Sequence, residues 1–288
     1  MGIFGRCRGV AHRSTHAKWL LLVLFFTGSC SVDSVKNRYL LAEKLWNEGS
    51  YAAAVVEFDR VSRRDPDGEL GRRALLRSAM TQTLFLKEHA EAIRKLKRIA
   101  EREGDSELGW EAQKQIGEIL FTRMDRSSEA IAHYQLLLKR RPTATEAPEF
   151  LFKLGRAYFN GWSFDSALEA FGRVIAEWPT SPWAEKAAME IAQVWLTRGE
   201  QRPGPRFSTQ GKEVYREAIR QFEAFISKYP NSKRIAEARF GIASALEELD
   251  QLAQALEVFQ GIESVYPVPQ TVKIKIYRLK ERISRRSK

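Results

Sequence analysis

The 288-residue chain reads as an all-α protein, an array of about six helical hairpins closed by one further helix. Three observations carry that expectation. A triplet of Ala, a bulky apolar residue and a helix-stopping residue recurs six times with one internal spacing. An apolar helical stripe precedes the clearest copies. Pro, Gly and Asn gather where helices would have to stop or turn.

The triplet is Ala, a ring four residues later, and Pro eight residues after the ring. It appears as Ala54, Phe58, Pro66; as Ala130, Tyr134, Pro142; and as Ala167, Phe171, Pro179. Ala218, Phe222, Pro230 and Ala255, Phe259, Pro267 repeat it, and Ala92, Leu96, Gly104 form a degenerate copy. Residues four apart share a helix face, so the Ala and the ring point the same way. The small Ala lets a second helix cross closely and the ring fills the space beside it. Pro then ends the helix, because it has no N–H for the next turn.

A partner helix precedes each marker helix. In the fourth copy Leu154 and Tyr158 share a face, Gly155 allows close approach, and Asn160-Gly161-Trp162-Ser163 supplies the turn. Between copies, Ser181 before Pro182 reads as an N-cap with Pro at the first helical position. Tyr229-Pro-Asn-Ser232 fills the same role in the following repeat.

Leu154, Gly155, Tyr158, Ala167, Phe171 and Pro179 match, position for position, the pattern of the tetratricopeptide repeat (TPR), which this sequence resembles over residues 36–270. The resemblance implies a right-handed superhelical solenoid. The Ala markers step by 38, 38, 37, 51 and 37 residues, against about 34 in the family standard. The longer period and the Tyr-Pro-x-Ser junctions resemble envelope TPR lipoproteins, such as the BamD-type subunit of outer-membrane protein assembly and the Tol-Pal-associated TPR protein. The step of 51 places an insertion at 199–211, inside the fifth hairpin. Its Gly and Pro residues read as a surface loop, either a tolerated insertion or a partner contact.

The first 29 residues carry only positive charges, Arg6, Arg8, Arg13 and Lys18, ahead of the apolar run 19–26 and Thr27-Gly28-Ser29-Cys30. That order describes a secretory signal, since the run falls short of the roughly 20 residues a bilayer span requires. Small residues before a Cys resemble the lipobox of bacterial lipoproteins, in which the Cys is acylated and becomes the first mature residue. Thr27 departs from the usual Leu, and plain secretion with cleavage after Ser29 is the other reading. Ser31 after the Cys resembles outer-membrane sorting, with 30–35 as a tether. Cys7 would leave with the signal, so no internal disulfide could form.

The formal net charge is +11. The leader contributes +4 and the last sixteen residues +7, so the body balances near zero. Within 271–288, Val272, Ile276, Leu279 and Ile283 form one helical stripe, although the alternation Val272–Tyr277 also fits a short strand. The helix reads as a solenoid cap. Its basic residues Lys273, Lys275, Arg278, Lys280 and Arg282 are candidates for contact with lipid headgroups or an acidic partner. A neutral body on an exported chain argues against nucleic acid.

Only His89 and His133 remain beyond the leader. That stock supplies no zinc spacing, Cys–His pair or Ser-His-Asp set, and no phosphate or calcium loop is present. An enzyme is not expected, nor any metal, cofactor or small-molecule substrate; the one expected attachment is lipid on Cys30. The resemblance implies partner binding along the first helices of the hairpins, at Tyr39, Glu43, Trp46, Gln115, Phe152, Arg156, Phe159, Gln193 and Phe240. Packing or solvation is the plain alternative for each, and Phe152, Arg156 and Phe159 are the first choice because aromatics and Arg dominate interface energetics. The resemblance puts Tyr39 and Glu43 where carboxylate-clamp TPR proteins carry Lys and Asn, so a C-terminal chaperone peptide is not expected. The function implied is a non-enzymatic scaffold, lipid-anchored at the periplasmic face of the outer membrane, with barrel or assembly-complex subunits as partners. A soluble periplasmic adaptor of Tol-Pal or peptidoglycan type and a secretin pilotin are the alternatives.

Overall fold

A computed structural model of the chain describes residues 34–124, 126–201 and 209–286. The expected leader 1–29, Cys30 and the middle of the expected insertion lie outside the described residues. Thirteen helices and no strand run through the described residues. They are α1 (34–47), α2 (Tyr51–Arg64), α3 (Glu69–Thr81, continued by a π-turn over Gln82–Leu86), α4 (His89–Glu103), α5 (Glu107–Thr122), α6 (Ser127–Arg140) and α7 (Ala147–Asn160). Then follow α8 (Phe164–Glu177), α9 (Pro182–Glu200), α10 (Thr209–Lys228), α11 (Ile235–Glu248), α12 (Leu252–Ile262) and α13 (Pro269–Arg286). In chain order they make six helix pairs and one closing helix. The chain forms two compact units that divide at Ile119/Leu120, within α5.

The Ala and bulky markers of all six triplets are buried to within 1% of full burial. They fall on α2, α4, α6, α8, α10 and α12, the second helix of each pair. In the first unit Ala54 and Phe58 pack with Val35, Ala42, Val61 and Ala74. In the second unit Ala218 and Phe222 pack with Met189, Leu196 and Ala238, while Ala255 and Phe259 pack with Val272, Ile276 and Leu279. Helix stops follow the Pro markers: α2, α6, α8 and α10 each end two residues before their Pro. The last copy differs, since α12 ends at Ile262, ahead of a turn in which Tyr266 N–H donates to Ile262 C=O. The Pro-less copy stops at Glu103, where Gly104 takes φ 55°.

The hairpin turns share a backbone feature. Gly49, Lys87, Trp162 and Asp250 all have φ between 58° and 78°, and each stands two residues before the second helix of its pair. In three of these turns the next N–H closes a bond back to the first helix, Ser50 to Leu45, Ser163 to Tyr158 and Gln251 to Leu246, each at 2.9 Å. In the fourth hairpin the left-handed residue is Trp162, 58% exposed, rather than Gly161. A left-handed non-glycine costs roughly 1–2 kcal/mol. Lys87→Gly, at an exposed position, is therefore expected to raise stability by about 0.5–1 kcal/mol, read as a higher denaturation midpoint with an unchanged slope.

Two local expectations are corrected and one, the N-cap at Ser181, holds in position without its side-chain bond. First, the insertion expected at 199–211 is helical at both ends, because α9 runs through Glu200 and α10 begins at Thr209. Gly199 is buried within α9, where an added Cβ would stand 2.6 Å from Tyr215 Cε1 of α10. Packing on that ring extends the pair. Second, Ser181 stands at the N-cap of α9 in extended backbone, but its hydroxyl makes no capping bond and is buried without a partner. Ser232 Oγ instead accepts Arg234 N–H at 3.0 Å and donates to Glu185 at 2.6 Å, joining the start of α11 to α9. Third, the strand alternative for Val272–Tyr277 fails. These residues are helical because Val272, Ile276, Leu279 and Ile283 pack together against α11 and α12.

Candidate functional site: the first helices of the hairpins

The Ala and ring markers of the second helices face the core, so the first helices carry the candidate binding surface. Its residues divide between the units. Tyr39, Glu43, Trp46 and Gln115 lie in the first unit; Phe152, Arg156, Phe159, Gln193 and Phe240 lie in the second. All nine are half-buried.

In the first unit, α1 presents Tyr39, Glu43 and Trp46 at helical spacing. Arg77 of α3 reaches across to them. Its Nε and Nη2 donate to the two Glu43 oxygens at 3.0 and 2.8 Å, a bidentate pair, and its guanidinium carbon lies 4.6 Å from the Trp46 ring centre. The Glu43 bond holds Arg77 above its ordinary pKa. Burial, then the Glu43 carboxylate, raises the Tyr39 hydroxyl. Beside them, Tyr51 stacks on Phe85 at 3.9 Å and Trp46 meets Phe85 edge-on at 5.8 Å. Gln115 of α5 donates to Glu111 one turn earlier, at 2.8 Å.

In the second unit α7 lies beside α9, and α9 beside α11. Phe152 sits between Phe171 at 5.5 Å and Trp183 at 5.1 Å, and Lys186 caps the Trp183 ring at 3.9 Å. Arg156 Nη1 donates to both oxygens of the buried Glu190 at 3.0 Å. Phe159 packs on Phe164 at 6.1 Å. Gln193, one turn beyond Glu190, donates to Thr197 at 3.3 Å. Phe240 stacks on Tyr266 at 4.8 Å and meets Phe259 edge-on at 5.2 Å.

The structure thus brings Phe152 and Arg156 of α7 against Trp183 and Glu190 of α9, partners that sequence reasoning missed along with Lys186, while Gln193 bonds within its own helix. Arg77, Tyr51 and Phe85 were missed in the first unit. One signal was available: Glu43 and Arg77 stand 34 residues apart, as do Arg156 and Glu190. Each pair bridges the first helices of neighbouring hairpins at about the standard repeat length.

The basic tail divides in two. Lys275 donates to Glu247 at 2.7 Å, Arg282 to Glu247 at 2.8 Å, and Arg286 to Asp250 at 2.7 Å, so these cations clamp α13 onto the end of α11. Arg286 in turn holds the Asp250 carboxyl below its ordinary range. Lys273, Arg278 and Lys280 remain exposed, with no ion pair among the described residues. Among those residues, too, no group of His, Cys, Asp and Glu is arranged to hold a metal ion, and no helix is long and apolar enough to cross a membrane.

The hairpins, their buried Ala–ring markers and their ion-paired first helices define the class: this is a tetratricopeptide-type helical repeat protein. Solved structures share the fold. A tetratricopeptide repeat protein from Parabacteroides merdae aligns over 88% of each chain, with 17% identity and a TM-score of 0.59. PilW, described as a widely conserved type IV pilus biogenesis factor, aligns over 83% of this chain and 98% of its own, at 19% identity and a TM-score of 0.52. The apo form of RapI aligns over 87% of this chain and 72% of its own, at 13% identity and a TM-score of 0.56. More particularly, residues 121–254 match the family described as YfiO, outer membrane lipoprotein. The chain resembles the TPR lipoproteins of the bacterial envelope. No curated protein matches it.

Proposed function

We propose that this chain is a protein-binding scaffold of the bacterial cell envelope, held by lipid on Cys30 at the periplasmic face of the outer membrane, where it organises the assembly of other envelope proteins in the BamD manner. The match of residues 121–254 to an outer-membrane lipoprotein family carries this reading. The basic, apolar and small-residue order that ends at Cys30 supports it. Acylation would tether the chain without spanning, since each buried methylene contributes about 0.8 kcal/mol.

The first helices would hold the partner. Tyr39, Trp46 and Gln115 serve in one unit; Phe152, Arg156, Phe159, Gln193 and Phe240 serve in the other. Their half-buried state suits that role, because a side chain already held by neighbours loses little rotamer entropy on binding. A scaffold of this kind catalyses nothing.

Two measurements test the reading. Cys30→Ala is expected to move the protein from the membrane fraction to the soluble periplasmic fraction; unchanged membrane retention would remove the anchor. Photocrosslinking from positions 152 and 159 is expected to capture a barrel protein or an assembly-complex subunit. Capture of a Tol-Pal or peptidoglycan-synthesis protein would replace the BamD-type role by the adaptor role, and capture of a secretin would replace it by a pilotin.

A further inference from the structure

The closing helix has two lateral faces that do different things. Its apolar stripe is buried on α11 and α12. On one flank Lys275, Arg282 and Arg286 bond to Glu247 and Asp250, so their charge is neutralised within the protein. Opposite the stripe, residues 273, 274, 277, 278, 280 and 281 share the outward arc of the helix. There Ile274 is 44% and Tyr277 64% exposed, beside exposed Lys273, Arg278 and Lys280. None of those three cations has an ion pair among the described residues. The arc's acid, Glu281, lies 3.3 Å from the Tyr277 hydroxyl and 3.9 Å from Arg285.

We propose that this outward face of α13 is a docking surface for anionic lipid headgroups, on which the helix lies in the plane of the membrane. A solenoid cap needs only a wet outer face, and such a face would be served by mixed charges. This arc instead sets three unpaired cations against one acid, Glu281, itself engaged by Tyr277 and Arg285, and adds an aliphatic and an aromatic side chain. Long basic side chains can reach headgroup phosphates while their stems lie along apolar surface, and Tyr sits favourably at the boundary between water and acyl chains. Charge complementarity therefore favours an anionic lipid surface over a neutral one. The patch is small, so binding alone would be modest. A lipid on Cys30 would make the contact intramolecular and raise its effective concentration; that gain rests on the proposed anchor, but the face itself does not.

The test separates the two. The chain from Ser31 onward retains every described residue and lacks Cys30. It is floated with vesicles of phosphatidylethanolamine and phosphatidylglycerol, and with neutral phosphatidylcholine vesicles. Flotation is expected with the anionic vesicles only, and is expected to be lost at about 0.5 M salt, where screening shortens the range of the attraction to a few ångströms. Each basic residue near an anionic surface contributes roughly a fivefold factor. Lys273→Glu, Arg278→Glu and Lys280→Glu together should therefore weaken partitioning by about 100-fold or more, with the helical circular dichroism unchanged because these side chains hold no other helix in place. A second variant, Ile274→Ser with Tyr277→Ser, should weaken it while leaving the charge intact. No flotation, equal flotation of the charge-reversed variant, or use of the face by an acidic protein without any vesicle binding would each overturn the proposal. None of these results would bear on acylation at Cys30, which the fractionation of Cys30→Ala reads separately.

Discussion

Phe171→Ala is expected to lower the unfolding free energy by about 3–5 kcal/mol. The ring of Phe171 on α8 is fully buried and lies against Phe152 of α7 at 5.5 Å. It also covers Gly155, where a Cβ would stand only 2.7 Å from Phe171 Cε1. Truncation therefore opens a cavity where Gly155 of α7 meets α8. In a repeat protein the damage stays near its source, because each hairpin touches mainly its neighbours. Hydrogen exchange should quicken most in α7, α8 and α9. A loss below about 1 kcal/mol would mean the ring is not the wedge described here.

Gly155 provides the complementary reading. Ala favours a helix over Gly by up to about 1 kcal/mol, yet Gly155→Ala should destabilise, because crowding a packed core costs about 1–3 kcal/mol. In the Phe171→Leu background the same change should lose its penalty and show the helix preference. This reversal of sign is the coupling that a double-mutant cycle measures. Its absence would separate the two residues.

Lys95→Met is expected to cost about 2–3 kcal/mol in the first unit, toward the low end for breaking a buried pair. Lys95 of α4 is 5% exposed. Its Nζ donates to both Asp59 oxygens of α2 at 2.8 and 2.9 Å, and to Ser78 Oγ of α3 at 2.7 Å. Ser78 in turn donates to Asp59 at 2.7 Å. One ammonium thus joins three helices across two hairpins. Removing it leaves Asp59 with the hydroxyl alone. Partial access of Asp59 to water moderates the loss. Lys95→Met combined with Asp59→Leu should recover most of it, since a packed apolar pair can replace a buried ion pair at little cost.

Burial holds Lys95 below its ordinary value of 10.5, with the Asp59 bond opposing the shift. The folded state therefore binds this proton less tightly than the unfolded state. At pH below the folded value both states are charged and nothing changes. As pH rises from the folded value toward 10.5 the unfolded chain holds more protons, so stability rises with pH. The stability of the unsubstituted protein over Lys95→Met should widen through that window. Tyr39, raised above its ordinary 10.0, acts in the opposite sense at higher pH in both proteins and cancels from the difference. A gap that narrows as pH rises would overturn the account.

Much of the fold was legible because spacing encodes it. An Ala and a ring four residues apart must share a helix face, and a Pro eight residues on must end that helix, wherever the rest of the chain lies. The degenerate second copy was legible too, since Ala92 and Leu96 kept the spacing after the Pro was lost. The candidate surface was read less completely. Phe152 and Arg156 were placed on the right helix, but whether their atoms were free depended on Phe171, Trp183 and Glu190, which sequence distance separates from them. Lys95 gave no sign at all, because a lysine in an amphipathic helix reads as solvated until a carboxylate and a hydroxyl from two other helices are brought to its ammonium.

By itself the sequence determined the six hairpins, their marker faces and the closing helix, because each depends on local periodicity or on order along the chain. The tertiary structure decided what depends on which distant atoms meet. It placed left-handed backbone at Lys87, Trp162 and Asp250, extended α9 and α10 into the expected loop, and divided the basic tail into cations bound to Glu247 and Asp250 and cations turned outward. The physical reason is common to all three. Backbone strain, helix length and ion pairing are set by packing between segments distant in sequence, and local propensity yields to that packing wherever the two disagree.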